Sequence, residues 1–199
     1  MHLITISGFL GTGKTTLILK MVAAAAARKV HAAILVNEIG EIGIDDQLME
    51  QHDLNVRQML NGCICCSLAK DLPRTLEELV NIYDPDMAIL EPSGAADLTK
   101  VLAALEYYRG KPLLSQTRIT LLDPLRLEKL KVVVGPLITS QVQKADHLLL
   151  TKADLADAEQ IAGARQWLRE IMPELEPRTI CARDPLPQDL CKELLPWMD

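Results

Sequence analysis

Short apolar runs alternate with longer stretches of helical periodicity from one end of the chain to the other. Residues 2–7 (HLITIS) predict a buried strand and residues 14–28 a helix rich in Ala and Leu. A second strand is expected over 32–37 (AAILVN) and a weaker one over 55–60 (NVRQML). A helix at 71–82, a strand at 86–91 (DMAILE), a helix at 97–108 and a strand at 117–123 (TRITLLD) follow. Residues 125–143 read as mostly helical, with a break near Gly135-Pro136. The pattern closes with a strand at 146–151 (DHLLLT), a helix at 156–171 and a last strand at 178–182 (RTICA). Strands that are apolar throughout, separated by helices, predict an α/β domain with a doubly wound, mainly parallel sheet covered on both faces. Pro185, Pro187 and Pro196 make the last fifteen residues a poor continuation of any sheet, so a surface tail with one short helix is expected. No repeat, low-complexity tract or linker breaks this pattern, which fits one domain over 1–199.

A chain of 199 residues buries roughly 70% of its unfolded surface, enough for a sizeable core. Aromatics make up only 3% of it, so Leu, Ile, Val, Ala and Met must fill that core. The net charge of −6 and the lack of a Lys/Arg run argue against a nucleic-acid partner held by a broad basic surface. The stretch LILKMVAAAAA contains Lys20 and runs into Arg28 and Lys29, too short and too charged to span a bilayer. The N-terminus enters a strand and a glycine loop without a basic n-region or a small-residue cleavage site, so no signal peptide is expected. Five cysteines, an odd number, then predict reduced thiols and a cytoplasmic location.

The stretch GFLGTGKTT follows the first strand and opens the first helix. It matches G-x-x-x-x-G-K-[ST], with Gly8, Gly13, Lys14 and Thr15 at the fixed positions and Gly11 and Thr12 inside the loop. Glycines there adopt positive φ and expose successive N–H groups to a phosphate, and the helix N-terminus adds partial positive charge. Lys14 can reach the β- and γ-phosphates, the Thr15 hydroxyl can ligate Mg²⁺, and Thr16 is expected near the α-phosphate. The alternative is a Gly-rich strand-to-helix turn with an incidental lysine. The strand-loop-helix context favours a nucleoside triphosphate site.

A second candidate region is LLLTKADL, residues 148–155, which resembles the guanine-reading N-K-x-D pattern with Thr151 in the Asn place, then Lys152 and Asp154. A carboxylate at Asp154 can accept from guanine N1–H and the N2 amino group, donors that adenine does not offer in that arrangement. Lys152 can lay its stem over the base. Thr151 departs from the pattern because a hydroxyl cannot make both contacts of an amide. The competing reading is a turn in which Asp154 caps the next helix. Backbone N–H groups at Cys181-Ala182 would sit near guanine O6. In DMAILEPSG, Glu91 ends a strand and can hold Mg²⁺ through water or orient the attacking water, while Gly94 can offer its N–H to a γ-phosphate. Ser93 capping the following helix is the alternative there.

Together GFLGTGKTT, VNEIGEIGID, NGCICCSL, LEPSG and QVQKADHLLLTKADL resemble the CobW-like GTPases, relatives of the HypB and UreG metal-insertion proteins, in order and approximate spacing. The resemblance covers nearly the whole chain. It implies a P-loop NTPase fold of the SIMIBI type, with GTP binding and hydrolysis coupled to delivery of a transition metal or metal cofactor to a target protein. It also implies that VNEIGEIGID is a switch-like segment whose family glutamate matches Glu38, and it suggests dimerisation across the nucleotide face. The implied partners are GTP or GDP and a client metalloprotein such as a corrinoid or nickel enzyme, with neither nucleic acid nor membrane. Many family members continue into a C-terminal domain, whereas this sequence stops at Asp199, so the expectation is the GTPase domain alone.

The chemistry of the cysteines agrees with that resemblance. Thiolates of Cys63, Cys65 and Cys66 can converge within one turn, and soft sulfur favours Zn²⁺, Cu(I), Co²⁺ or Ni²⁺. Three sulfurs leave one tetrahedral position, which Glu38 or Glu41 could fill. A redox pair with a bystander and inert packing are the alternatives. Cys181 and Cys191 are isolated and read as structural, and His31, His52 and His147 are too scattered to form a site. Two other functions compete with a metal-delivery GTPase: a non-catalytic nucleotide- and metal-binding sensor, and a small-molecule kinase, for which no Arg-rich lid follows a suitable strand.

Overall fold

The computed structural model describes residues 1–36, 55–58, 68–181 and 184–197, with the side chains of 55–58 and 68–71 excepted. Within them, seven strands pair in parallel: β1 (His2–Gly8), β2 (Ala32–Val36), β3 (Asn55–Gln58), β4 (Met87–Glu91), β5 (Ser115–Leu122), β6 (His147–Leu150) and β7 (Arg178–Thr179). Their order is β3-β2-β4-β1-β5-β6-β7. The helices are α1 (Lys14–Ala26), α2 (Leu68–Tyr83), α3 (Leu98–Leu105), α4 (Pro124–Gln143), α5 (Ala158–Ile171) and α6 (Gln188–Leu194).

The two-residue period of a strand sorts the core. In β1, Ile4 and Ile6 pack with α1 and α6, while Leu3 faces the other way toward α2 and α3. Residues of β2 and β4 alternate likewise: Ile34 and Ile89 join the first group, and Leu35, Ala88 and Leu90 the second. A third cluster packs α4 and α5 on Leu122, Leu148 and Leu150. Because both faces are covered, most strand positions are apolar on either side, with buried Thr5, Ser7, Thr117 and Thr120 among the polar members, and this is why the pattern reads as a parallel sheet. Strand β1 lies between β4 and β5, so the sheet's winding reverses beside its C-terminal end, where α/β sheets bind ligands.

Element boundaries agree with the periodicity to within a few residues, with two differences of substance. The final strand is only Arg178–Thr179. The tail is not a surface appendage: Leu190, Cys191, Leu194 and Leu195 are buried against the α1 face of the sheet, and the Trp197 ring stacks on His2 at 4.0 Å. The prolines do end the sheet, but Leu190 and Leu194 lie one helical turn apart and give α6 an apolar stripe. Arg178 then ties α6 to the sheet edge through Asp189 and, at 2.7 Å, Glu193. The buried Cys191 fits the structural role read for it. The break in α4 falls at Val134 (φ −136°, ψ 27°), just before Pro136, whose ring and missing N–H interrupt the helical bonding.

Strand β5 is fastened to the start of β6 by Arg118. Asp146 accepts from the Arg118 backbone N–H at 2.8 Å, Nε at 2.9 Å and Nη2 at 2.6 Å. Burial works against ionisation of the Asp146 carboxyl, but the hydrogen bonds and charge of Arg118 outweigh it and hold the pKa below the usual carboxylate range. A depressed folded-state pKa contributes stability above the unfolded pKa and loses it as pH falls through the folded value. Asp146→Asn should therefore lower the urea midpoint at neutral pH. The gap between variant and native protein should narrow as pH falls below the ordinary carboxylate range and close only below the depressed folded-state value, and a gap that is constant down to strong acid would contradict this account.

Candidate nucleotide site

Gly8, Gly11 and Gly13 carry φ of 140°, 77° and 91°, the region glycine tolerates, and they bend the chain from β1 into α1. Thr12 is buried and closes the loop on itself, its hydroxyl donating to the Phe9 carbonyl at 2.8 Å. Lys14, 4% exposed, turns back across the loop. Its Nζ donates to the Phe9 carbonyl at 3.5 Å and lies 3.6 Å from Glu91 Oε1. Thr15 is half-buried in the first turn of α1, and Thr16 is exposed at the rim.

Glu91 ends β4 with 1% exposure, so the strand delivers this carboxylate to the phosphate loop. Gly94 presses on the loop's backbone: a Cβ there would come 2.9 Å from Leu10 N and 3.2 Å from Gly8 O. Ser93 is not the helix cap. Asp97 caps α3 by accepting from Thr99 N at 3.0 Å, which leaves the 92–96 stretch free of that duty. Gln141, buried near the end of α4, donates to the Gly94 and Ala96 carbonyls at 3.4 and 3.3 Å.

On the other side of the loop, β6 delivers Thr151, Lys152 and Asp154. Thr151 is buried and its hydroxyl bonds the Leu122 carbonyl at 3.2 Å, so it faces the sheet. Lys152 adopts φ 56° and pairs with the buried Asp123 at 2.7 Å. Asp154 is exposed and does not cap α5. Asp157 does so, in a reciprocal capping box with Gln160. Cys181, half-buried, joins Gly13, Thr16, Lys20, Thr151 and Pro185 around a small cleft beside the first turns of α1. Thr16, Thr151 and Cys181, called from separate segments, thus line one cavity.

Three residues that sequence reasoning did not single out bear on the site: Asp123, Arg126 and Gln141, all on or capping α4. Asp123-Pro124 is a readable helix start, with a capping side chain followed by proline. Nothing local reveals its partner Lys152. Ala182, Glu38, Cys63, Cys65 and Cys66 lie outside the described residues, as does His52. Among the described residues, no group of three or more His, Cys, Asp or Glu side chains gathers to hold a metal, and no helix is long and apolar enough to cross a membrane.

The chain was compared with known proteins. A family model, CobW/HypB/UreG nucleotide-binding domain, matches residues 2–177. The zinc chaperone YjiA of Escherichia coli (strain K12) is 33% identical over 181 residues, covering 87% of this chain and 54% of YjiA. Among solved structures, the hydrogenase maturation factor HypB from Archaeoglobus fulgidus superposes with a TM-score of 0.69 at 14% identity, over 100% of this chain and 91% of HypB. The Zn(II)-bound YjiA GTPase from E. coli gives a TM-score of 0.62 at 23% identity, over 96% and 60%. At these identities the structural likeness speaks for the fold alone. The chain spans about half the length of the curated relatives it matches. A fold with its glycine loop at the sheet's winding reversal, and a family model over nearly all of it, give one conclusion: this chain belongs to the CobW/HypB/UreG nucleotide-binding domain family.

Proposed function

We propose that this protein binds and hydrolyses GTP, and that its nucleotide state governs delivery of a transition-metal ion to a partner metalloenzyme. The observation that carries the coupling is the close packing of Gly94 on the phosphate loop, three residues beyond Glu91. With backbone pressed on backbone, the loop after β4 must register what the phosphate loop holds.

In this reading the amides of Gly11, Thr12 and Gly13 receive the β-phosphate, as the loop's positive-φ glycines allow. Lys14 exchanges its present partners, the Phe9 carbonyl and Glu91, for β/γ oxygens. Glu91, relieved of that cation, orients the attacking water or holds Mg²⁺ through water, and the Gly94 N–H meets the γ-phosphate. The donors at hand, the Thr15 hydroxyl and the Glu91 carboxylate, are hard oxygens and fit Mg²⁺. Bound there, Mg²⁺ supplies charge to neutralise the β/γ oxygens. Thr16 lies toward the α-phosphate. Asp154, Lys152 and Thr151, with the N–H groups of Cys181 and Ala182, form the guanine site, and the exposure of an uncapping Asp154 supports this. Turnover is slow until a partner or a second copy adds positioned charge.

The metal is cargo, held by Cys63, Cys65, Cys66 and Glu38. The zinc-chaperone relative supports a borderline-soft ion such as Zn²⁺, and Co²⁺ or Ni²⁺ meet the same thiolate preference. Calorimetric titration of Zn²⁺, Co²⁺ and Ni²⁺ into protein loaded with GDP or a non-hydrolysable GTP analogue tests the reading. Metal affinity should differ between the two states by about tenfold or more, a coupling of about 1.4 kcal/mol. Cys65→Ser with Cys66→Ser should remove tight metal binding and leave nucleotide affinity intact. Equal metal affinity in both nucleotide states would overturn the proposal.

A further inference from the structure

We propose that Arg126 is a positioning residue for the phosphate loop, and that the first turn of α4 holds the phosphate and base loops in register. Arg126 belongs to a helix that neither nucleotide motif includes, yet its Nη1 donates to the Leu10 carbonyl at 2.8 Å. The same atom would lie 3.3 Å from a Cβ at Gly11, where φ is 77°. Gly11 therefore serves twice: it permits the backbone turn and makes room for the guanidinium.

The consequence follows from peptide geometry. Leu10 C=O and Gly11 N–H belong to one planar trans unit and point in opposite directions. A charge-assisted bond to the carbonyl fixes that plane, and with it the direction in which the Gly11 N–H is offered. It also polarises the unit, making the amide a better donor to an anion. Lys14 lies across the loop on the Phe9 carbonyl, so two successive loop carbonyls are held by cations from different elements.

Three residues earlier, Asp123 begins the same turn. Its Oδ1 accepts from Leu125 N at 3.0 Å and its Oδ2 from Lys152 Nζ at 2.7 Å. One helical turn thus grips the base loop through Asp123–Lys152 and the phosphate loop through Arg126–Leu10. A nucleotide bridges the same two loops, so their spacing is set before it arrives, and preorganisation of this kind lowers the ordering cost of binding.

The inference rests on the guanine-nucleotide reading and makes a phosphate-graded prediction. Affinities for GMP, GDP and a non-hydrolysable GTP analogue are measured by calorimetry for the native protein, Arg126→Ala, Arg126→Lys and Asp123→Asn. Arg126→Ala should weaken GDP and the GTP analogue by about tenfold, the scale of one charge-assisted hydrogen bond, and GMP by less than about twofold. Arg126→Lys, which keeps one charged donor, should recover part of that loss. Asp123→Asn should weaken all three ligands by a similar factor, because it acts through the base loop. Arg126 is exposed, so its removal leaves the core intact. If Arg126→Ala binds GDP as the native protein does, or loses GMP and GDP equally, the proposal is overturned while the GTPase reading stands. A native protein that binds no guanine nucleotide overturns both.

Discussion

Lys14→Met should reduce GTP hydrolysis by about a hundred- to a thousandfold, the loss typical of removing one positioned charge from a transition state. Methionine keeps most of the stem and fills the same volume, so the change isolates the ammonium. Lys14 is 4% exposed, and its ammonium lies 3.6 Å from a glutamate that is 1% exposed. Removing this cation takes one favourable charge from beside the buried Glu91 carboxylate, which is destabilising. Lys14→Met should accordingly unfold at lower urea concentration as well as lose activity. The double variant Lys14→Met/Glu91→Gln reads the stability effect alone: neutralising both partners should recover part of the stability, while turnover stays lost because Glu91 itself serves hydrolysis in the proposed reading. If Lys14→Met alone hydrolyses GTP as the native protein does, Lys14 contributes structure alone, and the phosphate role proposed for it falls.

Gly8→Ala carries the largest expected effect on folding. A Cβ at Gly8 would stand 2.5 Å from the Leu121 carbonyl oxygen and 2.9 Å from Thr12 Oγ1, at φ 140°. The first obstacle is backbone of β5, which pairs with β1 from His2↔Ser115 to Gly8↔Leu121, so neither strand can retreat alone. Backbone strain and overpacking together put the cost at about 3 kcal/mol or more. Gly13→Ala is the internal control, since a Cβ there meets nothing within 4 Å and only φ 91° opposes it. Urea unfolding should rank Gly8→Ala well below Gly13→Ala, which should lose about 1 kcal/mol, the usual penalty of an L residue in a left-handed conformation. Equal midpoints would mean that close approach, rather than the glycine's dihedral, has been misjudged at the end of β1.

Lys14 and Gly8 are both legible in the chain, because a strand, a glycine loop and a helix start follow one another within a few residues. The alternation of Leu3 against Ile4 and Ile6, and the apolar character of β4, likewise predict a sheet covered on both faces. Local periodicity is legible because residues close in sequence share one element, whose fixed repeat assigns each side chain to a face. Ser93 and Asp154 do not cap the helices that follow them: Asp97 and Asp157, four and three residues further on, do so.

What the sequence by itself determined is the doubly wound α/β plan, the phosphate loop at its first strand and the family to which the chain belongs. Only the tertiary structure decided that the proline-rich tail folds back as a core helix, and that α4 and its cap touch three loops of the site. The contacts responsible join residues 29, 116 and 47 positions apart, Lys152 to Asp123, Arg126 to Leu10 and Gln141 to Gly94. Separations of that length leave no local period or motif. They become specific only when the parallel crossovers bring the strand ends together at one edge of the sheet, where the energy of each bond depends on a partner that sequence order does not reveal.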